Sequence, residues 1–241
     1  MPREFPEFVD PWKAADGKRL FQGTIPLRWM RRLAPLLLSQ SRKPLEQAVH
    51  DEAALRGAFA IGTGARDYLL FFGRIHPDKG TEEAILVARS ADLPLVIAGI
   101  VQDRGYFERA VEPHIDGDRV RFVGAVGPEQ KSELLGGARA LLHLVSFDEP
   151  FGFSVVEAMA CGTPVIASRR GSMPELITED VNGRLVDSIA EAVEAVTGIV
   201  ELDAKGVRAS VERRFDKGRM IDEYVTVYRR ILGASASKSP A

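Results

Sequence analysis

The chain has 241 residues, 45% hydrophobic and 27% charged, with a formal net charge of −2, a balance that excludes a disordered tract, a collagen-like repeat and a disulfide scaffold. The length allows one large domain or two small ones, and the near-zero charge argues against nucleic acid as a partner. The lone Cys161 excludes an internal disulfide and a cysteine metal site and suits a reducing cytoplasm, and no apolar run approaches the roughly 20 residues of a membrane span.

Residues 1–66 carry eleven Lys or Arg against seven Asp or Glu, whereas 67–241 carry twenty-one against twenty-seven. The first segment opens Pro-rich, has no apolar signal core and then reads as helical. Within it Leu27, Trp29, Met30, Leu33 and Leu36 to Leu38 alternate with Arg28, Arg31, Arg32, Arg42 and Lys43. Two readings stand: a basic helix peripheral on an anionic membrane surface, or a helix packing its leucines on the domain. Pro35 interrupts the helix and favours the second. Gly62-Thr63-Gly64 precedes a strand instead of following one, so it reads as an entry loop and not as a dinucleotide fingerprint.

From residue 67 the rhythm changes. Tyr68 to Phe72, Leu95 to Ala98, Val120 to Val123, Ala140 to Val145, Pro164 to Ala167 and Arg184 to Val186 read as strands. Several are apolar throughout, as strands buried on both faces are. Helical patterns lie between and after them: Thr81 to Ser90, Gly105 to His114, Pro128 to Gly136, Ser154 to Cys161, Met173 to Ile177, Ile189 to Val200, Ala204 to Phe215 and Lys217 to Leu232. Strand, turn and helix repeated in this way predict an α/β fold, a Rossmann-like parallel sheet with helices on both faces. In such sheets ligands bind beyond the carboxyl ends of the strands. The expected organisation is a short, mostly helical segment 1–66, the sheet domain 67–201, closing helices 202–232 and a disordered tail 233–241.

Two strand-end loops carry candidate chemistry. Gly73-Arg74-Ile75-His76-Pro77-Asp78-Lys79-Gly80 sets a guanidinium and an ammonium where they would grip a diphosphate; a solvated turn is the plain alternative. The second runs from Asp148 to Pro164. Gly152 lets its backbone turn, so the amides of Phe153 and Ser154 would point above a helix N-terminus, a seat for phosphate. Glu149 in the loop and Glu157 on the helix, seven residues between them, face one crevice. A buried glutamate with no cation beside it is costly, so the pair asks for a hydroxyl-rich or cationic partner.

The GRxxPxKG loop at 73–80, the block EPFGxxxxEAMACGTPVIA at 149–167 and Gly171 to Ile177 (GSMPELI) resemble the carboxyl-terminal half of a family 4 (group 1) glycosyltransferase. The resemblance runs from Tyr68 to Leu232, about two thirds of the chain, and the helix of Tyr224 and Tyr228 is similar to the family's closing helix. It implies a GT-B fold and transfer of a sugar from a nucleoside-diphosphate donor with retention of configuration, without a metal or other cofactor. It further implies that Arg74 and Lys79 bind the donor diphosphate and that Glu149 contacts the transferred sugar, which makes these three the candidate catalytic residues. Gly73, the turn of Phe151, Gly152, Phe153 and Ser154, and the ribose-binding Glu157 complete the implied donor site. Whether the donor is a UDP-, GDP- or ADP-sugar stays open, as does the acceptor.

Other signals read as structure. Asp116-Gly117-Asp118 has the form of a manganese-binding D-x-D but falls at the amino end of a strand, where a turn is expected. His50, His76, His114 and His143 show no ligand spacing. Cys161 reads as a small buried residue, and Glu175 as either a ligand contact or a helix start. Residues 1–66 are too few for the amino-terminal GT-B domain of about 150 to 200 residues. Three expectations follow from that shortfall: a donor domain that works with an amino-terminal partner chain or within a larger protein, a nucleotide-sugar-binding remnant without transferase activity, or a compact enzyme whose basic segment supplies the acceptor site.

Overall fold

The structure, a computed structural model, describes residues 61–62, 65–215 and 225–226. The basic segment up to residue 60, Thr63 and Gly64, the helix expected over 217–232 apart from its helical Val225 and Thr226, and with it Tyr224 and Tyr228, and the tail 233–241 lie outside the described residues, and so do the readings that fall on them.

Six short strands form at the apolar runs: β1 (Leu69–Phe72), β2 (Leu95–Ala98), β3 (Val120–Gly124), β4 (Ala140–His143), β5 (Val165–Ser168) and β6 (Gly183–Val186). All pair in parallel, in the order β3-β2-β1-β4-β5-β6. Alternate side chains of a strand point to opposite faces, and here both faces are apolar cores. Leu69, Phe71, Leu95, Ile97, Ala140 and Leu142 join one buried cluster, whereas Leu70, Val96, Ala98, Leu141, Val165 and Ala167 join the other. The lack of polar alternation in the sequence thus has its physical cause in helices on both sides.

Helices α1 (Thr81–Ser90) and α6 (Ile189–Gly198) cover the first face. Helix α1 turns Thr81, Ala84, Ile85 and Ala88 inward at helical spacing. Helix α6 is capped by Ser188, whose hydroxyl accepts from the Glu191 amide at 3.2 Å. On the second face lie α3 (Pro128–Gly137), α4 (Phe153–Ala160) and α7 (Ala204–Phe215), which bury Leu135, Val155, Ala158, Met159, Val207 and Val211. The short α5 (Met173–Leu176) adds Met173 and Leu176 to that core.

Two departures from the sequence pattern bear on the fold. The single helix expected over 105–114 is instead a short α2 (Arg104–Tyr106), a π-helical turn Phe107–Val111 and a 3-10 turn Glu112–His114. Pro113 has no amide to give the helical ladder and its ring crowds the preceding turn, so the chain widens and then tightens while Phe107 packs on Phe122. Strand β4 stops at His143 and not at Val145, because its register on β5 ends with His143 against Ala167; Leu144 and Val145 remain buried. Among the described residues no helix is long and apolar enough to cross a membrane.

Sheet order reverses between β1 and β4, the switch point at which the loops after neighbouring strands leave in opposite directions and open a crevice. The two walls of that crevice touch through backbone. Gly80 has φ +78°, and a Cβ placed on it would lie 2.1 Å from the Leu144 carbonyl oxygen. Replacing Gly80 by Ala therefore adds a backbone collision to left-handed strain, whereas Gly117, at φ +80° with nothing within 4 Å, adds strain alone. Gly117→Ala is expected to cost about 1 kcal/mol and Gly80→Ala about 3 kcal/mol or more, read as shifts of the urea midpoint; equal shifts would contradict the contact.

Candidate functional site

The crevice at the carboxyl ends of β1 and β4 has a volume of about 290 Å³, with Arg74, Lys79, His143, Glu149, Ser154 and Glu157 among its lining side chains. It brings together every candidate residue read from the sequence except Phe151, since Gly73, Gly152 and Phe153 also line it. Phe151 instead packs against Phe153 and Phe215, and its carbonyl accepts from the Ser172 hydroxyl at 2.9 Å.

Each wall is built by a specific turn. After β1, a 3-10 turn (Pro77–Lys79) carries Lys79 toward the crevice, and the Asp78 carbonyl accepts from the Ser146 amide at 3.0 Å, tying the β1 loop to the β4 loop. His76 contacts Asp78 within that turn at 2.6 Å and does not line the crevice. After β4, the chain is pinned from β5's side by the GSMPEL segment. A Cβ on Gly171, at φ +54°, would lie 2.4 Å from both the nitrogen and the oxygen of Glu149, and the Glu149 carbonyl accepts from the Ser172 amide at 2.9 Å. Glu175 sits on α5 outside the crevice lining.

Gly152 caps α4 in the left-handed conformation, φ 87° and ψ 62°. The first intrahelical bonds are those of the Val155 and Val156 amides to the Gly152 carbonyl, which leaves the Phe153 and Ser154 amides ahead of the ladder, where a helix dipole concentrates positive potential. Phe153 is 75% exposed at the mouth of the crevice.

Both glutamates have a lysine, which corrects the expectation of carboxylates seeking a cation from outside. Lys79 Nζ lies 2.8 Å from Glu149 Oε2, with both side chains only 14% exposed, and Lys79 also sits 4.3 Å above the Phe147 ring. Lys131, from α3, reaches Glu157 Oε1 at 2.7 Å. Arg74 is exposed and its guanidinium donates to the Gln102 side-chain oxygen.

Sequence reading missed two of these groups. Lys131 lies on a helix with no motif around it. His143 was legible only as one of four unspaced histidines; the available signal was a polar residue closing the otherwise apolar run Ala140 to Val145, directly before the motif loop. Burial drives its imidazole pKa down to about 4, with Glu149 pulling it up and Lys79 pushing it further down. Its Nε2 is 3.8 Å from Glu149 Oε2, and the neutral ring makes this a polar contact and not an ion pair.

The Asp116 carboxylate accepts from the Asp118 and Val120 amides at 2.9 Å each, so Asp116-Gly117-Asp118 is a turn at the amino end of β3. Cys161 is a buried free thiol whose pKa burial raises to about 11. Among the described residues no group of three His, Cys, Asp or Glu is arranged to hold a metal ion. A second crevice of about 550 Å³ opens beyond β5 and β6, where Arg169 is engaged by Asp187 and Glu179.

A family model described as "Glycosyl transferases group 1" matches residues 60–213. A D-inositol 3-phosphate glycosyltransferase of Mycolicibacterium smegmatis is 30% identical over 202 residues, covering 78% of this chain and 45% of that protein. Among solved structures, AviGT4, a glycosyltransferase involved in avilamycin A biosynthesis, aligns with a TM-score of 0.62 at 30% identity over 70% of this chain and 53% of its own. The C-terminal domain of a group 1 family glycosyltransferase (LpcC) from Francisella tularensis shares the fold at 21% identity and a TM-score of 0.57, covering 67% of this chain and 98% of that domain. The chain spans about half the length of the curated relatives it matches.

The depressed pKa of His143 has a thermodynamic consequence. Its folded value, about 4, lies below the ordinary 6.5, so between those values the unfolded chain binds more protons and stability falls as pH falls. The His143→Gln variant removes this dependence. Between pH 7 and pH 4 the wild type is expected to lose on the order of 3 kcal/mol more than the variant, measured by urea unfolding at both pH values; parallel losses would show that the imidazole is not held neutral.

Proposed function

Because the chain belongs to the group 1 glycosyltransferases and has the fold of the carboxyl-terminal GT-B domain, we propose that the β1–β4 crevice binds a nucleoside-diphosphate sugar and supports transfer of its sugar to an acceptor, with retention of configuration as in family 4. The observation that carries this reading is the convergence at the switch point of Lys79, paired with Glu149, Arg74, and the amino end of α4. Phosphate oxygens are recognised by such a set of cations and oriented amides. Hydroxyls are recognised by carboxylates of the kind Glu149 and Glu157 offer.

In this reading Lys79, Arg74 and the Phe153 and Ser154 amides hold the diphosphate, Gly73 allows its close approach, and Gly152 sets the turn that aims the amides. Glu149 holds the transferred sugar, and Glu157, steadied by Lys131, holds the ribose. Cleavage of the bond to the sugar leaves negative charge on the departing diphosphate. Pre-organised donors at that position stabilise the transition state more than the ground state, and they supply from the protein the positive charge that a metal otherwise brings. Retention rests on the likeness of the E-x7-E block to family 4. The buried free thiol of Cys161 fits a reducing compartment. No described residue is assigned to the acceptor.

Calorimetric titration with UDP, GDP and ADP is expected to show one of them binding in preference to the others, and failure of all three would end the donor-site reading. In turnover of the matching nucleotide sugar, Arg74→Ala and Lys79→Ala are each expected to lower kcat/KM about a hundredfold, or about 3 kcal/mol. Unchanged turnover in both variants would remove the diphosphate from this loop.

A further inference from the structure

His143 closes β4 and lines the crevice beside Lys79 and Glu149. The residue is 6% exposed, and its buried Nε2 has no hydrogen-bond partner. Buried polar atoms are ordinarily bonded, because a group stripped of water and left unpaired is destabilising. The strand it ends is otherwise apolar, Ala140, Leu141 and Leu142 being fully buried or nearly so, so packing alone calls for a leucine at this position. An imidazole there is explained by a partner that arrives with the ligand.

The geometry says what kind of atom that partner is. Nε2 stands 3.8 Å from Glu149 Oε2, the same oxygen that Lys79 Nζ approaches at 2.8 Å. That gap is too wide for a direct hydrogen bond, yet a single oxygen atom about 2.8 Å from each end spans it. With the neutral ring in its Nε2–H tautomer, that oxygen accepts from the imidazole and donates to the carboxylate. A hydroxyl does both, as does a water that a sugar hydroxyl would displace; a phosphate oxygen at this pH does not.

We infer that His143 is a sugar-contacting specificity residue, whose Nε2–H donates to the same hydroxyl of the transferred sugar that donates to Glu149. The inference rests on the nucleotide-sugar reading above and adds to it a second, neutral contact on the sugar, supplied by the floor of the crevice and not by its loops. It makes a sharp demand on the donor. A sugar that lacks this hydroxyl, or presents it in the other configuration, leaves two buried groups unpaired, and sites built around a hydroxyl reject such analogues strongly.

The test compares the free diphosphates with the sugars they carry. Wild type, His143→Leu and His143→Gln are titrated with UDP, GDP and ADP, and with UDP-glucose, UDP-galactose, GDP-mannose and ADP-glucose. His143→Leu is expected to bind the preferred free diphosphate within about twofold of wild type and the preferred nucleotide sugar about tenfold or more weakly. His143→Gln, which keeps an amide donor, recovers most of that loss. Nucleotide-sugar affinity unchanged in His143→Leu overturns the inference, and so does equal weakening of diphosphate and nucleotide sugar, which marks a packing role. In the unaltered protein the His143 imidazole ¹⁵N resonances should move distinctly further on adding the nucleotide sugar than on adding the free diphosphate, which reaches the ring only through Lys79 and Glu149; identical spectra with the two ligands overturn the inference even where a variant fails to fold. A wild type that binds none of the seven ligands fails at the earlier step, the nucleotide-sugar reading itself, while one that binds a diphosphate and shows no effect of His143 on the sugar fails only at this one.

Discussion

The crevice depends on one backbone contact, the seating of Gly80 against the Leu144 carbonyl. The same approach lets the Ser146 amide donate to the Asp78 carbonyl, so the turn after β1 and the segment after β4 are fixed to each other by main chain and not by mobile side chains. Lys79, next to Gly80, is thereby delivered to Glu149. Gly171 repeats the device on the far side of the same segment, where a side chain would collide with the Glu149 backbone. A segment held at Leu144 by one glycine and at Glu149 by another has little freedom to relax. That rigidity is what allows a partly buried ion pair to keep the geometry on which its net contribution depends.

Sheet topology decides why this contact falls where it does. With the order β3-β2-β1-β4-β5-β6, the chain after β1 crosses toward β2 and the chain after β4 crosses toward β5, each by a right-handed turn. The two loops diverge above adjacent strands, and the floor between them is made of the strand ends themselves, Phe72 and Gly73 on one side, Leu142 and His143 on the other. Helix α4 starts at the rim of that floor, so its unbonded amides share the space with the lysine and the two carboxylates. A fold that buries both faces of its sheet thus leaves polar chemistry to gather at one edge.

Much of this was legible from the residues. Continuous apolar runs bounded by turns located all six strands, and the two motif loops proved to belong to β1 and β4, the pair that flanks the switch point. Glu149 and Glu157 do line one crevice. The lysines that meet the two carboxylates escaped detection as partners, because the encounters join residues 70 and 26 positions apart and only the fold sets those distances. The π-helical turn at Phe107–Val111 was hidden for a different reason: the spacing of its apolar residues suits an ordinary helix, and Pro113 acts on it through the backbone. His143 was visible as a letter, yet its meaning comes from burial and from an unpaired atom, neither of which a single sequence displays.

The charge arrangement restricts what can occupy the crevice. Lys79 and Lys131 are each engaged with a carboxylate, Arg74 donates to a neutral amide, and the end of α4 adds unbonded N–H groups. An incoming phosphate gains from Arg74 and the helix end without cost, but to gain Lys79 it must draw the ammonium from Glu149. Inorganic phosphate that did so would strand a carboxylate that is only 14% exposed, and an uncompensated buried charge is strongly destabilising. A ligand that brings a hydroxyl to Glu149 as its phosphate takes Lys79 avoids that penalty, and the Nε2–H of His143, 3.8 Å from the same carboxylate oxygen, donates to that hydroxyl in the proposed arrangement. The crevice therefore favours a ligand that carries phosphate and hydroxyl a few ångströms apart on one molecule over one that brings phosphate alone, as the proposed nucleoside-diphosphate sugar does.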